Sequence, residues 1–212
     1  MCWLRDENFP IINTKFLRPD VTDSDIKDVL ENFKDSEEVV LKRGISGAMK
    51  NVSILQREHP QIIKKMMSII KKNNFNGAYW LVQPKIPELQ SGEMKLFFIN
   101  GKFSFGFHIN HPTIEHGSIF DIREIRSDAP IWNELDIPEA IQLGEKVYLA
   151  LRNKAPSLAV IFRLDVFRNR NKKLIINELE YFGNIWFMMQ HCTVGESRLE
   201  DMANALKEYL QI

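Results

Sequence analysis

Four charged side chains lie at alternate positions of two apolar segments, and their types suit a site that holds a cation. The segments 160–167 and 174–180 are rich in β-branched and aromatic residues and flank a short polar run, which predicts a β-hairpin. Side chains two residues apart in a strand point to the same face, so each segment presents its two charges together. The four residues are Arg163, Asp165, Glu178 and Glu180.

A turn centred on Asn171 and Lys172 would bring the two pairs of charges together. In that register Asp165 lies opposite Glu178, and all four charges share one face of the hairpin. Three carboxylates on one face repel one another unless a cation lies among them, and hard oxygen ligands suit Mg²⁺. The alternative is an exposed sheet face with scattered charges. The strands are otherwise apolar on both sides, which favours burial and therefore a site.

The composition restricts the class of protein. The chain has 212 residues, of which 44% are hydrophobic, enough for one sizeable core or two small lobes. Lys plus Arg equals Asp plus Glu at 28 each, so the basic excess of a general nucleic-acid binder is missing. Two cysteines form no disulfide framework, and no apolar run approaches the roughly 18 residues of a membrane span. We therefore expect a cytoplasmic protein that partners neither nucleic acid nor membrane.

The remaining periodicities predict an α+β protein. Apolar residues at helical spacing predict helices at 26–34, 59–73, 138–153 and 197–209. Runs rich in β-branched and aromatic residues predict further strands at 9–17, 38–42, 78–83, 95–100, 102–109 and 119–126. Asn100-Gly101, between two of these strands, is a strong hairpin signal.

A loop with two glycines follows the strand 38–42 and suggests a cover for phosphates. Gly44 and Gly47 let backbone N–H groups approach phosphate oxygens, and Lys42 at the end of the strand supplies a point charge. Such glycine loops are also common as plain turns, which is the alternative.

The order of these features resembles the ATP-grasp fold, in its glutathione-synthetase and amino-acid-ligase branch. The features are strand-Lys, a glycine loop, a helix, a strand ending in Gln-Pro, Gly-Glu-x-Lys, an Asn-Gly hairpin, Arg-x-Asp and Glu-x-Glu. The similarity extends over nearly the whole chain from about Phe9. It implies two α+β lobes with mostly antiparallel sheets that clasp a nucleotide. The small lobe with a glycine lid would be residues 1–82, and the large lobe with a metal site 83–212.

The resemblance implies roles for individual residues. Those that would hold ATP are Lys42 at the phosphates, Gly44, Ser46 and Gly47 in the lid, Gln83, Pro84, Lys85 and Ile86 at adenine, and Glu93 at the ribose. Those that would act on substrate or transferring phosphate are Lys95, Arg123 and Arg163. Those that would bind Mg²⁺ are Asp165, Glu178 and Glu180.

The implied activity is that of an ATP-dependent carboxylate–amine ligase. It would act on an amino acid or a peptide through an acyl phosphate. Phosphoryl transfer requires charge neutralisation and alignment more than a covalent nucleophile, and this residue set supplies both.

Two departures from the family support a different hypothesis, a weak or inactive module that binds nucleotide or a partner protein. The lobes begin close to the first residue, without the usual N-terminal domain, which a homodimer or a partner chain would have to supply. The family's second phosphate lysine also has no counterpart before Lys42. A metal-dependent nuclease is a third hypothesis, but Glu180 stands where that site needs a lysine.

Overall fold

The computed structural model describes residues 2–44, 52–73, 79–110, 121–125, 136–181 and 195–210. The chain divides into two compact units. The smaller unit is Ile12–Ile86, and the larger unit combines Trp3–Ile11 with Pro87–Ile212. The predicted boundary after residue 82 falls inside the last strand of the smaller unit, which continues to Pro84.

Helices and strands alternate irregularly along the described ranges. The helices are α1 (Cys2–Asp6), α2 (Asp23–Glu31), α3 (Ile62–Lys72), α4 (Asp136–Lys154), α5 (Pro156–Ala159) and α6 (Gly195–Leu210), with a 3₁₀ turn at Pro87–Ser91. The strands are β1 (Lys15–Leu17), β2 (Glu38–Arg43), β3 (Val52–Gln56), β4 (Trp80–Pro84), β5 (Glu93–Ile99), β6 (Lys102–Asn110), β7 (Asp121–Ile125), β8 (Ile161–Arg168) and β9 (Leu174–Tyr181). The predicted α+β class is confirmed.

The smaller unit packs an antiparallel sheet of order β1-β4-β2-β3 against two helices. Alternate strand residues such as Val39, Leu41 and Val82 are buried against the apolar stripes of α2 and α3. Helix α2 begins at a capping box, in which the Thr22 backbone N–H donates to the Asp25 carboxylate at 2.7 Å. The opposite face of this sheet carries the other set of alternate residues.

Strand β3 and helices α1 and α5 were not predicted from the sequence. Strand β3 begins where the loop predicted after β2 ends, and it pairs with β2 in antiparallel register. Helix α1 is short, and it is held by burial of Leu4 in the core of the larger unit. Strand β3 and helix α1 are therefore stabilised by tertiary contacts. None of the helices within the described ranges is both long and apolar enough to span a bilayer.

The larger unit is built on an antiparallel sheet of order β7-β6-β5-β8-β9. One face, with Leu96, Phe98 and Leu164, packs on α4 and α1. On the other face Phe97 stacks on Phe105 at 4.3 Å between ring centroids, and α6 covers this apolar pair. The charged residues of β5, β8 and β9 lie on this same face, where Arg163 pairs directly with Phe97.

Close approach of α4 to the sheet depends on Gly144. A Cβ atom at this position would overlap the ring of Phe98. Gly144→Ala improves helix propensity by roughly 1 kcal/mol, but overpacking of the core costs about 1–3 kcal/mol. We expect net destabilisation, measured by chemical denaturation, and partial recovery in the Gly144→Ala/Phe98→Leu double variant. A more stable Gly144→Ala protein would contradict this packing.

The predicted pairing of the hairpin charges is confirmed. Asp165 pairs with Glu178, and Arg163 pairs with Glu180, in the antiparallel register of β8 and β9. Directly opposed residues share a face of the sheet, so the four charges lie together.

The turn of this hairpin differs from the predicted one. Past a β-bulge, Val166 pairs with Ile176, so Asn177 is an extra residue on β9. The Asn169 side chain accepts the Asn171 and Lys173 backbone N–H groups at 3.0 Å each and closes the turn. Beyond the bulge, the extra residue restores the register that the predicted turn would have given.

Candidate functional site

Alternating charges occupy one face of β5, β8 and β9 in the larger unit. Lys95 lies directly opposite Asp165, and its ammonium contacts Oδ2 of that carboxylate. The same ammonium lies 2.6 Å from Oε1 of Glu93. Asp165 is 0% exposed, and Lys95 and Glu93 are 9% and 4% exposed. The alternative of an exposed hairpin face with scattered charges is therefore excluded for Asp165, and Arg163 is buried as well.

Arg163 joins the carboxylates of β8 and β9. Its Nε donates to Oδ1 of Asp165 at 2.6 Å, and its Nη2 donates to Oδ2 at 2.8 Å. This bidentate, charge-assisted geometry is the strong form of a carboxylate–guanidinium pair. Nη1 lies 2.9 Å from Oε2 of Glu180, as an ion pair without the alignment of a hydrogen bond. Arg163 is thus fixed between two of the predicted metal ligands.

Asn177 is a member of this site that the sequence did not predict. Its Nδ2 donates to Oε2 of Glu93 at 2.8 Å. With a period of two, Asn177 and Glu178 would point to opposite faces, so the pattern places Asn177 away from the charges. The bulge changes that parity, and no local sequence signal announces it.

Burial and pairing act in opposite directions on the two buried cations. Burial lowers the pKa of Lys95, but the Asp165 and Glu93 carboxylates more than offset it, and the pKa is raised. Burial also lowers the pKa of Arg163. The carboxylates of Asp165, Glu180 and Glu178 more than offset this effect, so the pKa of Arg163 is raised overall. Both side chains are therefore cations at neutral pH.

The raised pKa of Lys95 predicts how the stability of the larger unit depends on pH. A cation whose pKa is raised by folding stabilises the fold fully below its unfolded pKa, near the ordinary value of 10.5. That contribution is lost only as the pH rises through the folded value. We expect the difference in unfolding free energy between wild type and Lys95→Met to stay constant from neutral pH to about 10 and then shrink. A change between pH 7 and 9 would contradict the assignment.

The donor set suits a hard divalent cation in type and in formal charge. In β5, β8 and β9, the four carboxylates and two cations of this site leave two formal negative charges. Oxygen donors of this kind fit Mg²⁺. In the arrangement observed, however, Lys95 and Arg163 hold Asp165, and the described residues contain no converging group of three possible ligands. A metal ion at Asp165 would therefore have to compete with these two cations.

In the smaller unit, Lys42 lies on the sheet face opposite to the helices. Its neighbour Leu41 is buried against the helices, so the alternation of β2 directs Lys42 to the other face. Val40 and Ile54 are paired on that face, and Ile54 is among the exposed apolar residues. Lys42 is thus a cation at the end of a partly apolar sheet surface.

The predicted hinge is held by β2 and by the start of the smaller unit. Gln83 is buried, and its Nε2 donates to Oγ1 of Thr14 at 2.8 Å. The Lys85 backbone N–H donates to the Glu38 carbonyl at 3.0 Å, and the two side chains form an ion pair. Pro84 lies between two residues whose N–H groups face β2. A backbone N–H at position 84 would face away from β2, so proline costs no hydrogen bond to that strand.

The lid prediction concerns mostly residues outside the described ranges. Ser46 and Gly47 are among them. Gly44 donates its N–H to the Tyr79 carbonyl at 2.7 Å, and a Cβ here would lie 2.9 Å from that oxygen. Close approach of β2 to Tyr79 is therefore a structural reason for glycine at this position.

The structure describes the backbone positions of Arg123, in β7, and of Ile86, which follows β4. Arg123 pairs with His108 across β7 and β6, at the edge of the sheet. Ile86 is the last residue of the smaller unit. For both residues the predicted roles stay predictions.

Solved structures supply the comparison with known proteins. No protein-family model matches the sequence, and no curated protein matches it. The structure of D-cycloserine synthetase DcsG superposes with a TM-score of 0.68 at 20% identity, over 98% of this chain and 67% of that one. D-alanyl-alanine synthetase A from Vibrio cholerae gives a TM-score of 0.64 at 16% identity, over 98% and 63%. The ATP-grasp ligase PsnB, in complex with precursor peptide PsnA2 and AMPPNP, gives 0.61 at 10% identity, over 97% and 57%.

These likenesses extend over almost all of this chain, and the chain spans about two thirds or less of each matched protein. The shared features are two α+β units with antiparallel sheets, in the order that the sequence motifs predict. The chain therefore has the ATP-grasp fold.

Proposed function

We propose that this chain is an ATP-dependent ligase that joins a carboxylate to an amine on an amino acid or a peptide. The observation that carries the proposal is the buried charge network of β5, β8 and β9, in a fold shared with ligases. Buried ionic groups are costly unless they are paired, and a cluster of them with shifted pKa values is a candidate functional site. The similar proteins include a D-cycloserine synthetase, a D-alanyl-alanine synthetase and an ATP-grasp ligase bound to a precursor peptide.

Two features of the smaller unit support a role in holding the nucleotide. Lys42 would contact the phosphates, as a point charge at the end of β2. The Lys85 N–H is directed to β2, so strand alternation directs the next N–H, that of Ile86, to the other side. On that side β1 starts only at Lys15, which pairs with Val82. The Pro84 carbonyl and the Ile86 N–H would then present an acceptor and a donor to the edge of adenine.

The larger unit would supply the charges for phosphoryl transfer. In the proposed reaction a substrate carboxylate oxygen attacks the γ-phosphorus, and ADP leaves with the electrons of the broken P–O bond. The amine then attacks the acyl carbon, loses a proton and displaces phosphate. Arg163 would stabilise the charge on the transferring phosphoryl group, and Glu93 would accept the ribose hydroxyls. Mg²⁺ held by Asp165, Glu178 and Glu180 would neutralise phosphate charge.

The test is release of ADP and phosphate with Mg²⁺ and a panel of amino acids and short peptides. We expect ADP to accumulate only when both a carboxylate and an amine substrate are present. AMPPNP should raise the thermal unfolding midpoint, because a ligand that binds the folded chain stabilises it. If the chain binds nucleotide but releases no ADP with any member of the panel, the ligase proposal is contradicted.

A nucleotide-binding module without turnover is the second candidate. The observation that favours it is the contact of Lys95 and Arg163 with Asp165, since internal cations then neutralise a predicted metal ligand. The ligase proposal includes an amino acid or a peptide as substrate, and both candidates allow a second copy of the chain or a partner chain. A thermal shift with AMPPNP and no ADP release would support this candidate, and the absence of any shift would remove both.

A further inference from the structure

Lys95 is shared between two carboxylates, and one of them is a predicted metal ligand. Its ammonium contacts Oδ2 of Asp165 and lies 2.6 Å from Oε1 of Glu93. Arg163 donates to the same Oδ2 through Nη2 at 2.8 Å. A carboxylate oxygen has two lone pairs, so Oδ2 is fully engaged by the two cations.

Net charge shows that these cations do not complete the site. In β5, β8 and β9 the four carboxylates of this site outnumber Lys95 and Arg163 by two formal charges. A divalent ion would therefore balance these six groups, yet an ammonium in contact with Asp165 repels any second cation brought to that carboxylate. Within about 5 Å, this repulsion in a partly buried site exceeds 1.4 kcal/mol, the free energy of a tenfold change in affinity.

We propose that Lys95 occupies, in the nucleotide-free chain, the place on Asp165 that a divalent cation takes when nucleotide is bound. Metal binding then depends on nucleotide, because a phosphate group is what draws Lys95 off Asp165. This inference rests on the proposed function for the identity of that nucleotide, but the competition between Lys95 and metal is a property of the free chain.

The structure provides a route for this exchange. Lys95 already contacts Glu93, so leaving Asp165 does not strand a buried ammonium without a partner. Asn177 donates to the other oxygen of Glu93 at 2.8 Å and keeps that carboxylate in place. Arg163 retains both of its bonds to Asp165 and leaves one lone pair of Oδ2 open. Lys95 is therefore the cation that can move at the smaller cost.

The experiment measures Mn²⁺ affinity of the nucleotide-free protein by electron paramagnetic resonance. Lys95→Met and Lys95→Gln remove the competing charge, and Lys102→Met, at an exposed position of β6, removes one charge elsewhere. We expect both Lys95 variants to bind Mn²⁺ at least tenfold more tightly than wild type, and Lys102→Met to match wild type within twofold. A structural role for Lys95 would predict no gain in affinity.

A double variant and a folding check distinguish failure of this inference from failure of the ligase proposal. Asp165→Asn added to Lys95→Gln should abolish the gain, because the affected ligand is then missing, and circular dichroism checks that each variant folds. Equal or weaker Mn²⁺ binding by both folded Lys95 variants would overturn the proposal. That result leaves ADP release by the wild-type chain to decide the ligase function. A gain in Mn²⁺ affinity without ADP release would support this inference and count against the ligase.

Discussion

Asp165→Asn is expected to destabilise the larger unit by about 3–5 kcal/mol, the cost of removing one partner from a buried ion pair. The Asp165 carboxylate is fully buried and holds both Lys95 and Arg163. The asparagine would leave two neighbouring cations with no charge between them, and each would then repel the other. Hydrogen exchange of the β5 and β8 amides measures the loss in the larger unit without interference from the smaller one.

The matched control is Glu139→Gln, which also removes one carboxylate from an ion pair. Glu139 lies 2.8 Å from Arg168, and its side chain is 56% exposed. An exposed pair contributes about 0–1 kcal/mol, so exchange should hardly change. Adding Lys95→Met to Asp165→Asn should recover part of the loss, because the repulsion between Lys95 and Arg163 is then removed. Equal effects of Asp165→Asn and Glu139→Gln would mean that burial does not govern this network.

The sequence predicted the hairpin charges well because their pattern is local. Alternation in β8 and β9 fixes which residues share a face, and only one of two possible parities brings Asp165 and Glu178 together. The pairing is confirmed, although the register beside the turn differs by one residue from the predicted one. The error is hidden by the extra residue at Asn177, since a bulge and a shifted turn change the register in opposite directions.

Local patterns of this kind could not predict the contacts that complete the network. Lys95 and Asp165 are 70 positions apart in the chain, and their contact depends on β5 lying next to β8. Strand order is set by packing of whole elements, which no local motif encodes. The resemblance placed Lys95 near the substrate, and it could not reveal that the ammonium lies on a predicted metal ligand. The hydrogen bond between Asn177 and Glu93 was missed for the same reason.

Glycine positions show how a functional interpretation and a structural one can coincide. Gly44 was predicted as part of a phosphate lid, and the structure gives it a reason within the sheet, since its N–H bonds to Tyr79. Glycine at this position is therefore explained without a nucleotide. The lid prediction now depends on residues outside the described ranges, and a nucleotide-bound structure is needed to test it.

Arg163→Met is expected to reduce single-turnover ADP formation by about 10³-fold or more, if the ligase proposal is correct. Removal of one donor that stabilises transition-state charge costs roughly 10²–10³ in rate, and loss of an arginine that contacts transferring phosphate costs about 10³–10⁵. Arg163 is the only guanidinium described on the charged face of β8, and it is 5% exposed, so bulk solvent cannot replace it. Arg163→Lys keeps the charge but loses the bidentate fork, and should recover only part of the rate.

Arg170→Met provides the matched control for this variant. Arg170 lies on the same hairpin, pairs with Glu88 at 3.0 Å, and has a side chain that is 78% exposed. Its loss should leave ADP formation within about twofold of wild type, as surface substitutions usually do. The AMPPNP-induced thermal shift separates a loss of binding from a loss of turnover. A folded Arg163→Met protein that binds AMPPNP and forms ADP at nearly the wild-type rate would contradict the role of Arg163, because its guanidinium would then contribute nothing to phosphoryl transfer.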